Sequence, residues 1–261
     1  MLKHHSDSLE IMKEHFQKDS DVIALILGGS VAKGMERPDS DLDGMVILTD
    51  QAYDKKKAEG KLAECLFGMC TYPNGYFDIK YFSKAYLQAA AERGSDPTRN
   101  SFIKCKVIFS TDAEIDGLIK EIPIYPKHKK AERIAVFHSI LKLASGYYFN
   151  SATRNNDPYL LNKCCFEMVY AGLRMLYAYN EILFPCHAQL LEYTHRLPHK
   201  PNGIVELATA VNEKKSANAK TAFVDAILTF TDWGIVKPAG STYVEKMEQA
   251  WQYSDDNVYE L

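Results

Sequence analysis

Apolar residues in the first half of this chain fall into short runs separated by polar turns, whereas in the second half they recur at helical spacing over longer stretches. Residues 6–17 read as an amphipathic helix with Leu9, Ile11, Met12 and Phe16 available for its buried stripe. The six residues from Val22 to Leu27 have the length and composition of a buried strand, which breaks at Gly28-Gly29-Ser30. A short helix opened by Ser30 and a second strand through Met45 to Leu48 follow. A helix over about 52–68, a strand through Asp78, a helix over 84–93 and a strand over 106–109 complete the series. In Asn74-Gly75-Tyr76-Phe77-Asp78-Ile79-Lys80-Tyr81, alternation puts Tyr76, Asp78 and Lys80 on one face and Phe77, Ile79 and Tyr81 on the other. This order suits a small mixed sheet backed by helices.

The character changes at Glu121-Ile122-Pro123-Ile124-Tyr125-Pro126, where two prolines interrupt helical continuation and mark a linker. Beyond it the pattern is helical over about 129–150 and 158–182, then in shorter segments over 187–195, 203–212, 217–231 and 241–250. Asp157-Pro158 combines a capping side chain with proline at the first helical position. The expected fold class is α+β: a sheet domain over 1–122, then an all-α bundle over 127–261.

Chemistry concentrates at the first strand break. Gly28-Gly29-Ser30 is followed, after ten intervening residues, by Asp41-Leu42-Asp43. Strand side chains return to one face every second residue, so Asp41 and Asp43 project together and can hold one or two divalent cations. The glycines leave room for a phosphate near the backbone, and the Ser30 hydroxyl with the free N–H groups of a helix start favours an anion. Metal on one side and triphosphate on the other makes a nucleotidyl-transfer site, and a later strand carries Asp78 and Lys80 on one face. In-line attack by a hydroxyl on the α-phosphorus needs neutralised phosphate oxygens and an activated nucleophile, and two ions held by carboxylates do both. Without metal, three crowded carboxylates repel one another and raise at least one pKa.

This segment resembles the signature of the polymerase β-like nucleotidyltransferase superfamily: glycine, serine, roughly ten residues, Asp-x-Asp, and a carboxylate on a later strand. The resemblance implies that Asp41, Asp43 and Asp78 are catalytic and metal-binding. Asp41 and Asp43 would bind the nucleotide-associated Mg²⁺, and Asp78 would bind a second ion or take the acceptor's proton. Gly28, Gly29 and Ser30 would then meet the nucleotide, ATP in the first instance, and Lys80, by its place on the Asp78 face, either meets it too or serves as a structural counter-ion to the aspartates. The helical half, with Met168-Val169-Tyr170-Ala171-Gly172-Leu173-Arg174 and later Leu183-Phe184-Pro185 and Arg196-Leu197-Pro198, is similar to helical domains attached to bacterial antibiotic-type nucleotidyltransferases of the aminoglycoside and lincosamide kind. Such domains supply much of the acceptor pocket. The implied activity is transfer of AMP to a hydroxyl of a small molecule. A protein-modifying nucleotidyltransferase and a non-catalytic nucleotide sensor are the alternatives.

Composition narrows the partners. A chain of 261 residues, 46% hydrophobic, buries a sizeable core in one large or two modest domains. Its formal charge of -3 and pI near 6.3 disfavour a nucleic-acid partner, which needs a basic field. Lys55-Lys56-Lys57 and Lys127-His128-Lys129-Lys130 read as solvated faces. Cys65, Cys70, Cys105, Cys164, Cys165 and Cys186 form no C-x-x-C pair or zinc spacing and read as buried reduced thiols. No apolar run approaches a membrane span, which together points to a cytoplasmic enzyme. Lys33 and Arg37 are placed to reach phosphate or, more simply, solvent. Lys163 and Arg174 offer a phosphate clamp or structural pairing with Glu167. Tyr147, Tyr148, Phe149, Tyr170, Tyr177 and Tyr179 read mainly as core, with a pocket wall as the alternative.

Overall fold

The computed structural model describes residues 1–252, which divide into two compact units, Met1–Ile124 and Tyr125 onward. In the first, helix α1 (Lys3–Gln17) leads into β1 (Val22–Leu27), α2 (Gly29–Lys33), β2 (Leu42–Leu48), α3 (Asp50–Ala58), β3 (Ala63–Phe67), β4 (Tyr76–Ser83), α4 (Lys84–Arg93), α5 (Asp96–Ser101), β5 (Lys106–Ser110) and α6 (Glu114–Glu121). The strands form one mixed sheet in the order β3-β4-β2-β1-β5. β2 and β4 run parallel, and the other three pairings are antiparallel.

Alternation divides this sheet into two faces. Leu25 and Leu27 of β1, Leu42, Val46 and Leu48 of β2, and Phe77, Ile79 and Tyr81 of β4 share a core with Leu9, Met12 and Phe16 of α1. Gly44 lets α1 approach closely, because a Cβ there would meet Ile79 Cδ1 at 2.6 Å and Met12 Sδ at 3.1 Å. On the other face, Ala24, Ile26, Met45 and Ile47 pack with Leu87 and Ala90 of α4 and Ile115 and Ile119 of α6. By the same alternation Asp43 and Asp78 belong to this second face.

Three expectations need correction. The helix expected over 52–68 stops at Ala58, and Ala63–Phe67 forms the edge strand β3 against β4. Gly60 at φ +70° turns the chain between them. The strand is mostly exposed, so backbone pairing rather than an apolar stripe selects it. In α1, Ile11 faces solvent, and His5 and Ser8 complete the buried stripe instead. All six cysteines are free, yet only Cys164 and Cys165 are buried and Cys65 is exposed. The short helices α5 and α6 also lie where no element was expected. Ser95 caps α5 by accepting from Thr98 N, and the Arg99 guanidinium donates to the carbonyls of Ala91, Ile122 and Ile124.

The second unit is helical: α7 (Lys130–Leu143), a π-helical turn (Ala144–Tyr148), α8 (Phe149–Asn155), α9 (Pro158–Tyr179), α10 (Leu190–Thr194), α11 (Ile204–Lys214), α12 (Ala217–Leu228) and α13 (Ala239–Tyr243). The run expected as one helix over 129–150 is thus interrupted by that turn. Asp157 caps α9 as anticipated, accepting from Leu160 N at 3.0 Å with Pro158 first in the helix. A Cβ at Gly172 would stand 2.8 Å from the Phe223 ring, so the glycine sets the close approach of α9 and α12. No helix among the described residues is long and apolar enough to cross a membrane.

Candidate nucleotidyl-transfer site

The parallel pairing of β2 with β4 sets Asp43 directly opposite Asp78 in register. Asp41 lies one residue before β2 begins, and oxygens of all three carboxylates fall within 4.8 Å of one another. Three hard oxygen donors at that separation are a suitable donor set for a divalent cation. The cluster's electrostatics point the same way. Burial pushes the Asp43 carboxyl up to about 6, the Asp41 and Asp78 charges add to it, and Lys80 and Lys33 pull it down. Lys80 Nζ donates to Asp78 Oδ2 at 3.0 Å. Although burial opposes it, the Lys80 pKa is raised by that bond and by the fields of Asp78, Asp43 and Asp41. Two cations, Lys80 and the more distant Lys33, thus act on three carboxylates, which leaves the group in net deficit of positive charge.

The glycine turn is part of the same construction. Gly29 has φ +62°, and a Cβ on it would fall 1.6 Å from Asp43 Oδ2. No side chain fits there, because the Asp43 carboxylate lies against the bare backbone of the turn. Gly28 N donates to the Asp43 carbonyl at 2.9 Å, tying the turn to β2. One detail differs from expectation: α2 starts at Gly29 with Gly28 as its cap, so Ser30 is the second helical residue rather than the one that opens the helix.

Residues 6–70 match the nucleotidyltransferase domain family. The first unit carries a nucleotidyltransferase domain. Gly28, Gly29, Ser30, Asp41 and Asp43 lie inside the matched span and Asp78 beyond its end. Among solved structures, the chain is similar to a nucleotidyltransferase-like protein from Exiguobacterium sibiricum at 9% identity and TM-score 0.50, with 98% of this chain and 83% of that one covered. That likeness is one of fold. A spectinomycin adenyltransferase from Enterococcus faecialis, solved with ATP and spectinomycin, aligns at 14% identity and TM-score 0.31 over 86% of this chain and 99% of that one. No curated protein sequence matches the chain.

Other residues gather around the carboxylate cluster. Tyr76, two positions before Asp78, lies beside the Asp41 carboxylate, whose interaction with it raises the phenol pKa. Strand alternation had put it on the right face, but nothing in the sequence pairs it with Asp41. The Cys105 thiol, donating to the Ser101 carbonyl at 3.2 Å, borders the glycine turn, and burial pushes it up to about 12. No sequence signal identifies that neighbour. Lys33 contributes its charge to Asp43, whereas Arg37 pairs with Asp39 on the surface.

In the helical unit, Lys163 pairs with Glu167. Arg174 is buried, with its guanidinium 4.4 Å from the ring centroids of Phe137 and Phe184 and Nη1 donating to Tyr170 Oη at 2.6 Å. Structural pairing therefore accounts for both cations. Tyr177 is core and Tyr147 is exposed. Tyr170 lines a cavity of about 280 Å³ with Phe137, Phe166, Glu167, His187 and Met247.

Proposed function

We propose that this nucleotidyltransferase moves AMP from ATP to a hydroxyl of a small-molecule acceptor, with hydroxylated antibiotics of the aminoglycoside or lincosamide kind as the acceptor class to test first. The observation that carries the reading is the convergence of Asp41, Asp43 and Asp78 against the Gly28-Gly29-Ser30 turn. Asp41 and Asp43 would hold the nucleotide-associated Mg²⁺, and Asp78 a second ion. Bound magnesium supplies neutralisation of the phosphate oxygens and acidifies the acceptor hydroxyl.

The chain's own groups do the rest. The free N–H groups at the start of α2 and the Ser30 hydroxyl donate to phosphate oxygens. Lys80 exchanges its bond with Asp78 for the incoming negative charge. The acceptor oxygen bonds to the α-phosphorus as the bond to the bridging oxygen breaks, and pyrophosphate leaves. The acceptor's proton passes to Asp78 where that carboxylate serves as base. The aromatic cavity of the helical unit has the lining suited to a ring-bearing molecule. Six free thiols are in keeping with a reducing cytoplasm, and the acidic balance favours a small acceptor over nucleic acid.

The test is incubation with labelled ATP, Mg²⁺ and a panel of hydroxylated antibiotics. Pyrophosphate and an AMP adduct are expected with at least one acceptor, and neither with Asp43→Asn. Absence of both products with every acceptor, or near-normal turnover in Asp43→Asn, would overturn the reading.

A further inference from the structure

Asp41 is the least anchored member of the carboxylate cluster by its own backbone. The β2–β4 ladder begins at Leu42 opposite Phe77, and the β1–β2 ladder ends at Gly44 opposite Leu27, so Asp41 lies outside both. What precedes it is the irregular segment 34–41, which returns the chain from α2 to the sheet. Two side chains from distant parts of the unit converge on the next-to-last carbonyl of that segment, that of Ser40. His5 Nε2 lies 3.1 Å from the Ser40 carbonyl oxygen, and Tyr72 Oη donates to the same oxygen at 2.6 Å. A carbonyl only accepts, so His5 carries a proton on Nε2.

The physical consequence follows from the peptide unit. The Ser40 carbonyl and the Asp41 nitrogen lie in one rigid plane running from Cα to Cα. Two donors converging on that oxygen hold the plane, and with it the Cα from which the Asp41 carboxylate projects. The rest of the segment is tied down beside it. Ser40 Oγ accepts from Arg37 N at 2.9 Å, and His4 Nε2 lies 3.0 Å from the Pro38 carbonyl oxygen.

The two donors are themselves held firmly. His5 is fully buried on α1 and meets the Tyr72 ring edge-on at 5.0 Å between centroids. Tyr72 lies in the β3–β4 connection. A Cβ on Gly75 would meet the Tyr72 ring at 2.5 Å, so the glycine makes room for that side chain. Thr71 fastens the connection to α1, its N–H donating to Ser8 Oγ at 2.9 Å and its hydroxyl to the His4 carbonyl at 3.0 Å.

We infer that His5 and Tyr72 are positioning residues for the metal site, acting through the Ser40 carbonyl to hold Asp41 within ligating distance of Asp43 and Asp78. This inference rests on the reading of Asp41 as a metal ligand. Neither residue touches the reacting groups, so each belongs to the supporting layer whose removal typically weakens metal affinity about 10–100-fold.

The test is Mn²⁺ binding to the full chain without nucleotide, followed by electron paramagnetic resonance. Tyr72→Phe, which deletes one hydroxyl and keeps the ring, is expected to weaken Mn²⁺ binding about 10-fold while the melting temperature stays near that of the parent. His5→Leu is expected to weaken it at least as much, and His5→Gln, whose amide again offers a donor, to recover part of the loss. In an Asp41→Asn background, Tyr72→Phe should cost nothing further, because the ligand it positions is gone. A purely structural role would leave the two effects additive. Unchanged Mn²⁺ affinity in folded Tyr72→Phe would overturn the inference, and that variant decides the matter alone if His5→Leu fails to fold. Failure of the parent chain to bind Mn²⁺ would instead defeat the metal reading, and this inference with it.

Discussion

The two units treat buried charge in opposite ways. In the helical unit, Arg174 is enclosed by the rings of Phe137 and Phe184 and donates to the Tyr170 hydroxyl, so its environment complements a cation. In the sheet unit, Asp43 is partly buried among like charges and against a glycine backbone, and its carboxyl sits at about 6 as a result. A structural charge is surrounded by what stabilises it. A charge held against its own preference marks a place where something else is meant to bind. The same contrast separates Lys163, matched by Glu167, from Lys80, which faces three carboxylates.

Gly29→Val would break the comparison most severely. It forces a β-branched residue to φ +62° with a Cβ 1.6 Å from Asp43 Oδ2. We expect it to cost more than about 4 kcal/mol of stability or to expel the Asp43 carboxylate, with ATP binding lost either way. Thermal unfolding and calorimetric titration check this. Arg174→Ala should destabilise by about 3–5 kcal/mol in urea unfolding, because it empties the site that the Phe137 and Phe184 rings enclose. At denaturant concentrations where the variant remains folded, Mn²⁺ binding should be unchanged. A stabilising Arg174→Ala would erase the distinction between the two kinds of charge.

Asp78→Asn is expected to keep ATP·Mg²⁺ binding and lose turnover by at least about 10²-fold. Loss of both binding and fold would make Asp78 a structural partner of Lys80 instead. The smallest effect is on pH dependence. Asp43 titrates at about 6 in the folded chain against an ordinary 3.8, so between those values the folded state holds more protons than the unfolded one. Asp43 therefore makes the metal-free chain less stable as pH rises through that window, and returns the stability as pH falls. Parent and Asp43→Asn melting temperatures should thus converge toward pH 4, with the variant the more stable at pH 7. Saturating Mg²⁺ should reverse the order at pH 7. Equal differences at both pH values in metal-free buffer would remove Asp43 from the strained cluster.

The elements legible in the sequence were those with a strong local signature. β1, β2 and β4 declared themselves by apolar runs or alternation, α4 by helical periodicity, and α9 by its Asp157-Pro158 start. The edge strand β3 did not. Its residues are mostly exposed, so no apolar face announces it, and it exists because β4 offers an unpaired backbone edge. Ile11 was misread for a similar reason, since only the packing of α1 on the sheet decides which of several apolar positions turns inward.

The cluster divides along the same line. Gly28-Gly29-Ser30 and Asp41-x-Asp43 are local, and their chemistry is readable from spacing alone. Asp78 was readable as a candidate because a strand fixes its face, but its registry opposite Asp43 depends on β2 and β4 pairing in parallel, a non-local event. The contact of Tyr76 with Asp41, the closure of Asp43 over Gly29, and the grip of His5 and Tyr72 on the Ser40 carbonyl have no sequence signature. Each joins residues brought together only by the folded chain, and short-range periodicity carries no information about such pairs. What the sequence determined by itself was which groups are present and which face of their own element they occupy. The tertiary structure decided which of them meet, because meeting depends on distances that backbone pairing and core packing set together.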